Sequence, residues 1–254
     1  MCFVGDECLM IMNKISIVLP VYNESKCIVN TFSSVAKFAI NKPWYNFIFV
    51  DDGSTDGTRE ILESEIKLLN SNQISLISYK NHRGKGYAVK TGVLYANGDY
   101  ICFLDGDLAY SLEHLDLIGA KLAEFDIVIG SRNLTSENNN GFNFFRRLAS
   151  KIFNIICRNL LNLNFNDTQA GIKGFNKYVA KDLFKTQILP GFAFDVELIY
   201  LAKKRGYHIC EVPAVVSKKH LQKESKVKIF KDSTIMILNL LQILYYDLIK
   251  KEYE

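Results

Sequence analysis

Proline is scarce, with 4 in 254 residues, and the 15 glycines follow no repeat, so neither a proline-rich linker nor a collagen-like chain is present. A composition of 48% hydrophobic and 23% charged residues excludes an intrinsically disordered chain. The six cysteines (Cys2, Cys8, Cys27, Cys102, Cys157, Cys210) form no CxxC pair and have no histidine at metal-ligand spacing. That excludes a zinc module and a disulfide-stapled miniature fold, and the thiols read as reduced packing groups in a reducing compartment. No apolar run reaches about 18 residues, so a membrane-spanning helix is not expected. Residues 1–13 carry Asp6 and Glu7 and lack the basic-then-apolar order of a secretory leader, so they read as an N-terminal extension, with Met10 and Met12 as alternative starts.

The length suits one large domain with a self-sufficient core. Its net charge of +4 hides an asymmetry. Residues 1–141 hold 12 basic against 17 acidic side chains, and residues 142–254 hold 19 against 10. An acidic front and a basic back predict different partners for the two halves.

Short apolar, β-branched runs at Lys14–Pro20, Asn46–Val50, Ile74–Tyr79, Tyr100–Leu104 and Asp126–Ile129 predict buried strands. Helical spacing separates them, over Glu24–Ile40, Thr55–Asn70, Lys85–Ala96 and Ser111–Ala123. This alternation predicts an α/β fold: a mostly parallel central sheet flanked by helices, with ligands at the carboxyl ends of the strands. Beyond a polar segment at Leu134–Gly141, the pattern predicts a basic amphipathic helix over Phe142–Leu163 and a turn and strand over Asp167–Phe175. A helix over Phe194–Arg205, a strand over Ile209–Val216, a basic loop and a last helix near Val227–Lys250 follow. That last helix is apolar around most of its circumference and needs cover from the core, a second copy or a membrane surface.

The first strand ends in Pro20-Val21-Tyr22-Asn23-Glu24, without the glycine fingerprints of dinucleotide or P-loop folds. Asp105-Gly106-Asp107 directly follows a buried strand. Two carboxylates flanking a small residue suit a hard cation, Mg²⁺ or Mn²⁺, whose remaining positions go to water and phosphate oxygens. On a diphosphate such a metal neutralises the charge that develops on the leaving group. Asp51-Asp52-Gly53-Ser54-Thr55-Asp56-Gly57 ends the second strand in the same way. There Ser54 and Asp56 suit helix capping, and one of Asp51 and Asp52 suits a base or ribose.

PVYNE at 20–24, VDDGSTDGT at 50–58, NHRGKGYAVKTG at 81–92 and DGD at 105–107, in this order, closely resemble glycosyltransferase family 2, the inverting nucleotide-sugar enzymes of GT-A fold. Gly130-Ser131-Arg132, Arg146-Arg147, the run Asp167–Phe175, Phe194–Leu198 and Ser225-Lys226 resemble its polyprenyl-phosphate branch, which includes dolichyl-phosphate mannose and glucose synthases. The resemblance spans about Lys14–Asp232. It implies a catalytic domain over 14–225, with a nucleotide-sugar part at 14–132 and an acceptor part at 133–225, followed by an apolar helix over 226–254 for membrane-surface or dimer contact.

On that resemblance Pro20, Tyr22, Asn23, Glu24, Asp51 or Asp52, Lys85 and Gly106 line the nucleotide-sugar site, and Asp105 and Asp107 hold the metal. Arg132, Arg146, Arg147, His220, Ser225 and Lys226 grip the acceptor phosphate. The sequence departs from the family pattern at Ala109, where a relative carries a metal-contacting glutamine, at Val216 in place of an aromatic, and at Lys223-Glu224 in place of a glycine pair.

A hydroxyl acceptor needs a carboxylate base, for which Asp195 and Asp167 are candidates, whereas a monophosphate is already charged near pH 7 and needs cations. Arginine's planar, permanently charged fork suits that task. Glu197 reads as structural. The leading expectation is a peripheral, cytoplasmic-face hexosyltransferase acting from a UDP- or GDP-sugar onto dolichyl or undecaprenyl phosphate. Transfer to a saccharide or protein hydroxyl is the alternative, and a non-catalytic nucleotide-sugar-binding subunit is a third reading. Nucleic acid is not an expected partner; a homo-oligomer is a possible one.

Overall fold

The computed structural model describes residues 13–135, 144–217 and 229–253. Among these, strands β1 (Ile15–Val21), β2 (Tyr45–Asp51), β3 (Ile74–Ser78), β4 (Tyr100–Leu104), β5 (Ile127–Ser131), β6 (Ile172–Asn176) and β7 (Ile209–Pro213) form one sheet, ordered β3-β2-β1-β4-β6-β5-β7. All pairings are parallel except those of β6, which runs antiparallel to β4 and β5. The helices are α1 (Ile28–Ile40), α2 (Thr58–Leu69), α3 (Lys85–Tyr95), α4 (His114–Lys121), α5 (Phe144–Leu161), α6 (Lys177–Thr186), α7 (Phe194–Lys204) and α8 (Ile229–Leu248).

Because both sheet faces are covered, the strands are predominantly apolar, and alternate residues feed two cores. Val18, Val50, Phe103 and Ile129 pack with α3, α5, α6, α7 and α8 on one face. Ile17, Leu19, Phe47, Phe49 and Leu104 pack with α1, α2 and α4 on the other. Burial pushes the thiols of Cys102 and Cys157 up to about 12, as inert packing groups require.

Two features go beyond the sequence reading. Helix α6 occupies a stretch to which the periodicity assigned no element; its apolar stripe, Val179, Ala180, Leu183 and Phe184, spans too few turns to stand out. Helix α8 divides its apolar surface between two environments. Leu240 and Ile243 are fully buried in the core shared with α5 and α7, whereas Leu238, Leu241, Tyr245 and Leu248, with Ile249 just beyond the helix, are exposed. No described helix is long and apolar enough to cross a membrane.

Candidate active site

The parallel strands carry their following loops to one edge of the sheet. Antiparallel β6 adds its preceding loop there, since Ile172 pairs with Leu104 and sets Gly171 beside Asp105. One rim thereby gathers residues 20–25, 51–58, 81–85, 105–110, 131–132, 167–171 and 194–195.

The first two loops are stapled together. Asn23, in the left-handed region at φ 50°, donates its N–H to Ser54 Oγ at 2.9 Å and accepts from Thr55 N through Oδ1 at 2.9 Å. Glu24 N–H donates to Thr58 Oγ1 at 2.8 Å, and Ser25 N–H to Asp56 Oδ2 at 2.9 Å. Capping of α2 was the expected role for Ser54 and Asp56. The N-cap of α2 is instead Gly57, in a left-handed conformation and without a side-chain cap bond, and both residues serve mainly to tie the loops. Asp56 does accept from Thr58 N at 3.1 Å. Glu24 is fixed further by Cys27 Sγ, 2.8 Å from Oε2.

Asp51 and Asp52 divide their labour. Asp52 Oδ1 accepts from Tyr79 Oη at 2.7 Å and Arg83 N at 2.8 Å, while Oδ2 accepts from Gly84 N at 2.9 Å and meets His82 Nδ1 at 2.9 Å. Its carboxylate builds the 81–84 loop, and His82 in turn stacks on Tyr22 at 4.0 Å. Asp51 is 1% exposed; Oδ2 accepts weakly from Ser54 N at 3.3 Å, and Oδ1 has no hydrogen-bond partner. Burial pushes its carboxyl upward, against the pull of the Ser54 bonds.

Asp105 sits where three backbones converge. Its N–H donates to Gly171 O at 2.9 Å, and a Cβ at Gly171 would stand 1.9 Å from Asp105 Oδ2, so only glycine leaves the carboxylate its place. At Gly106 a Cβ would stand 2.4 Å from Pro20 O, which locks the DGD turn against the end of β1. Asp107 Oδ1 accepts from Ala109 N at 3.1 Å. Lys85, the first residue of α3, places Nζ 2.6 Å from Asp105 Oδ1, outside hydrogen-bond geometry, and that oxygen is otherwise buried and unpartnered. Burial pulls the Lys85 ammonium downward, but Asp105 and Asp195 outweigh it and hold the charge firmly.

Behind this rim lie two saturated ion pairs. Lys173 Nζ pairs with Asp195 Oδ1 at 2.5 Å and donates to Ala170 O at 2.9 Å, with the two side chains 1% and 4% exposed. Burial raises the Asp195 carboxyl, while Lys173 and Lys85 oppose the rise. Arg132 grips Asp167 with Nε at 2.6 Å and Nη2 at 2.9 Å, and its backbone N–H adds a bond at 3.1 Å. Despite burial, this guanidinium holds the Asp167 carboxyl below its ordinary range. Tyr110 is buried next to the same charges, and burial raises its phenol.

Arg146 and Arg147 lie in the first turn of α5, but their side-chain contacts, like His220, Ser225 and Lys226, lie outside what is described. Lys173, Tyr110, His82 and Gly171 were missed as site residues. Lys173 had a signal, since a lysine inside the apolar strand IKGF must find an internal counter-charge. Among the described residues no three His, Cys, Asp or Glu side chains cluster as a closed metal cage. Together with Asp107 two residues on, the Asp105 oxygen, which meets Lys85 but accepts no hydrogen bond, fits an open site in which diphosphate and water complete the shell.

This rim on a seven-stranded, mostly parallel sheet defines the GT-A class of fold. Solved structures share it: mannosyl-3-phosphoglycerate synthase from Rubrobacter xylanophilus has a TM-score of 0.67 at 18% identity, covering 92% of this chain and 74% of that one. Glucosyl-3-phosphoglycerate synthase from Mycobacterium tuberculosis, in complex with UDP, has a TM-score of 0.65 at 18% identity, covering 91% and 80%. Glycosyl transferase family 2 matches residues 16–184, and the chain belongs to that family. Dolichyl-phosphate beta-glucosyltransferase of Dictyostelium discoideum is 34% identical over 211 residues, 78% of this chain and 64% of that protein. The Drosophila melanogaster dolichyl-phosphate beta-glucosyltransferase is 29% identical over 213 residues, 78% and 65%. The chain thus spans slightly less than two thirds of the length of these relatives.

Proposed function

We propose that the chain is an inverting hexosyltransferase that moves a sugar, glucose by preference, from a nucleotide-diphosphate sugar of the UDP-glucose or GDP-mannose type to a polyprenyl phosphate, dolichyl or undecaprenyl. The similarity to two dolichyl-phosphate glucosyltransferases supports the lipid acceptor and the glucose.

The observation that carries the phosphate acceptor is the state of the two candidate bases. A hydroxyl acceptor needs a carboxylate able to take its proton. Asp195 and Asp167 are 3% and 1% exposed, and each is bound to a cation. A phosphate acceptor needs no base, because its oxygen is already anionic. That oxygen attacks the anomeric carbon as the bond from that carbon to the donor diphosphate breaks, leaving a nucleoside diphosphate and an inverted glycosyl lipid phosphate.

The chain's residues orient these partners. Asp51, buried with an unpartnered oxygen, accepts from the base or ribose, and Tyr22 offers its ring at the same loop. Asp105 and Asp107 would hold Mg²⁺ or Mn²⁺, which when bound neutralises the leaving diphosphate. Lys85 faces that diphosphate. Arg132, fixed by Asp167, with Arg146, Arg147, His220, Ser225 and Lys226, meets the acceptor phosphate. The exposed apolar side of α8, flanked by the exposed Lys250 and Lys251, rests on the cytoplasmic membrane surface where such a lipid lies.

Nucleotide release from UDP-glucose or GDP-mannose, measured with Mn²⁺ with and without dolichyl phosphate, tests the reading. Release that depends on both supports it. Equal release with a saccharide acceptor in place of the lipid would favour a hydroxyl acceptor.

A further inference from the structure

Three Lys–Asp or Arg–Asp pairs lie at or behind the rim, and one differs from the other two. Lys173–Asp195 and Arg132–Asp167 are saturated by further hydrogen bonds. Lys85–Asp105 is not: its 2.6 Å contact lies outside hydrogen-bond geometry, and Asp105 Oδ1 has no other partner. A pair of partly buried charges without supporting hydrogen bonds gains least from its burial and is the easiest to exchange. The side chains of Lys85 and Asp105 are 19% and 29% exposed, so both partners reach the surface, whereas Lys173–Asp195 is sealed and Asp167 is buried under a 23% exposed Arg132.

We propose that Lys85 is a positioning residue that occupies Asp105 as a resident counter-ion until a metal-bound donor diphosphate arrives, and then passes to the diphosphate. The inference rests on the metal reading above and adds an order of events. A divalent ion on Asp105 Oδ1 would lie within a few ångströms of the Lys85 ammonium, where like charges repel strongly. Metal alone therefore has to displace Lys85 with only Asp195, already paired with Lys173, to receive it. Metal that comes with a diphosphate brings the anion that receives Lys85, so metal and nucleotide bind with positive coupling. Asp195 also attracts Lys85, but its charge is already paired with Lys173, so it compensates a displaced Lys85 less well than a diphosphate does. The device excludes free metal from the site and keeps Asp105 in place meanwhile.

Mn²⁺ binding to the full chain, read from the electron paramagnetic resonance of free Mn²⁺, tests this without turnover. Wild type, Lys85→Met and Lys85→Arg are compared without nucleotide and with UDP or, in parallel, GDP. Without nucleotide, Lys85→Met is expected to bind Mn²⁺ about fivefold or more tightly than wild type, the scale of one competing ion pair. Lys85→Arg, which keeps the charge, stays within about twofold of wild type. Nucleotide tightens Mn²⁺ binding in wild type and much less in Lys85→Met. Equal Mn²⁺ affinity of wild type and Lys85→Met, with nucleotide-dependent binding retained, would overturn the counter-ion role alone. Wild type binding Mn²⁺ equally with and without nucleotide overturns it without recourse to a variant. No Mn²⁺ binding in any sample, nucleotide included, overturns the metal reading and this inference together.

Discussion

Tyr253 donates its hydroxyl to Glu197 Oε1 at 2.6 Å, with both residues buried. The same carboxylate accepts the backbone N–H groups of Ile188 at 2.7 Å and Leu189 at 2.9 Å. Pro190, next in that loop, accepts Tyr87 N of α3 at 3.1 Å, two residues from Lys85. One buried carboxylate thus links the segment after α8 to helix α3, which begins at Lys85. Tyr253→Phe removes the hydroxyl alone, and hydrogen bonds to charged groups contribute about 1.5–3 kcal/mol. Urea denaturation should show a loss of that size; unchanged stability would contradict the link.

The strands and most helices were legible because both sheet faces are covered, so most strands are short, predominantly apolar runs such as YICFL. The antiparallel insertion of β6 was not legible, since nothing in IKGFN marks strand direction. Its consequence for the site, Gly171 against Asp105, was therefore hidden too. Asp105 and Asp107 stood out by motif. The choice between Asp51 and Asp52 did not, because two adjacent carboxylates look alike until the loop that one of them holds is in place.

That difference can be measured. Asp52→Asn disturbs four contacts, three of them to residues 82–84 and one to Tyr79, and should lower stability by about 1–3 kcal/mol. Asp51→Asn removes a buried carboxylate whose burial is unfavourable, so stability should hold or rise while donor KM increases by about tenfold or more. Matching losses of stability in both variants would refute the division.

Arg132→Gln leaves Asp167 buried and unpaired, which should cost about 3–5 kcal/mol at neutral pH. The pH dependence has a definite sign. In the wild type the Asp167 carboxyl is held low, so its stabilisation is present above the usual carboxylate range and is lost as pH falls below about 4. In the variant the buried carboxyl is raised instead, and the folded state takes up a proton first. The stability gap between the two proteins should narrow between pH 7 and pH 4.5 in urea melts; a gap constant with pH would contradict the pairing.

Leu238 and Leu241 of α8 are 58% and 51% exposed, so a glutamate at either should leave folding intact. On the membrane reading, the double variant Leu238→Glu/Leu241→Glu should lose most of its sedimentation with anionic phospholipid vesicles. Unchanged vesicle binding, or a wild type that does not bind, would remove α8 as the contact; a concentration-dependent dimer lost in the variant would assign the face to a second copy.

Transfer itself tests the central claim most directly. Purified full chain incubated with labelled UDP-glucose, Mn²⁺ and dolichyl phosphate should yield a labelled glucosyl phospholipid extractable into organic solvent, with β configuration at the anomeric carbon and none formed by Asp105→Asn. Label appearing only in water-soluble glycan, or no transfer from either UDP-glucose or GDP-mannose while the nucleotide still binds, would contradict it.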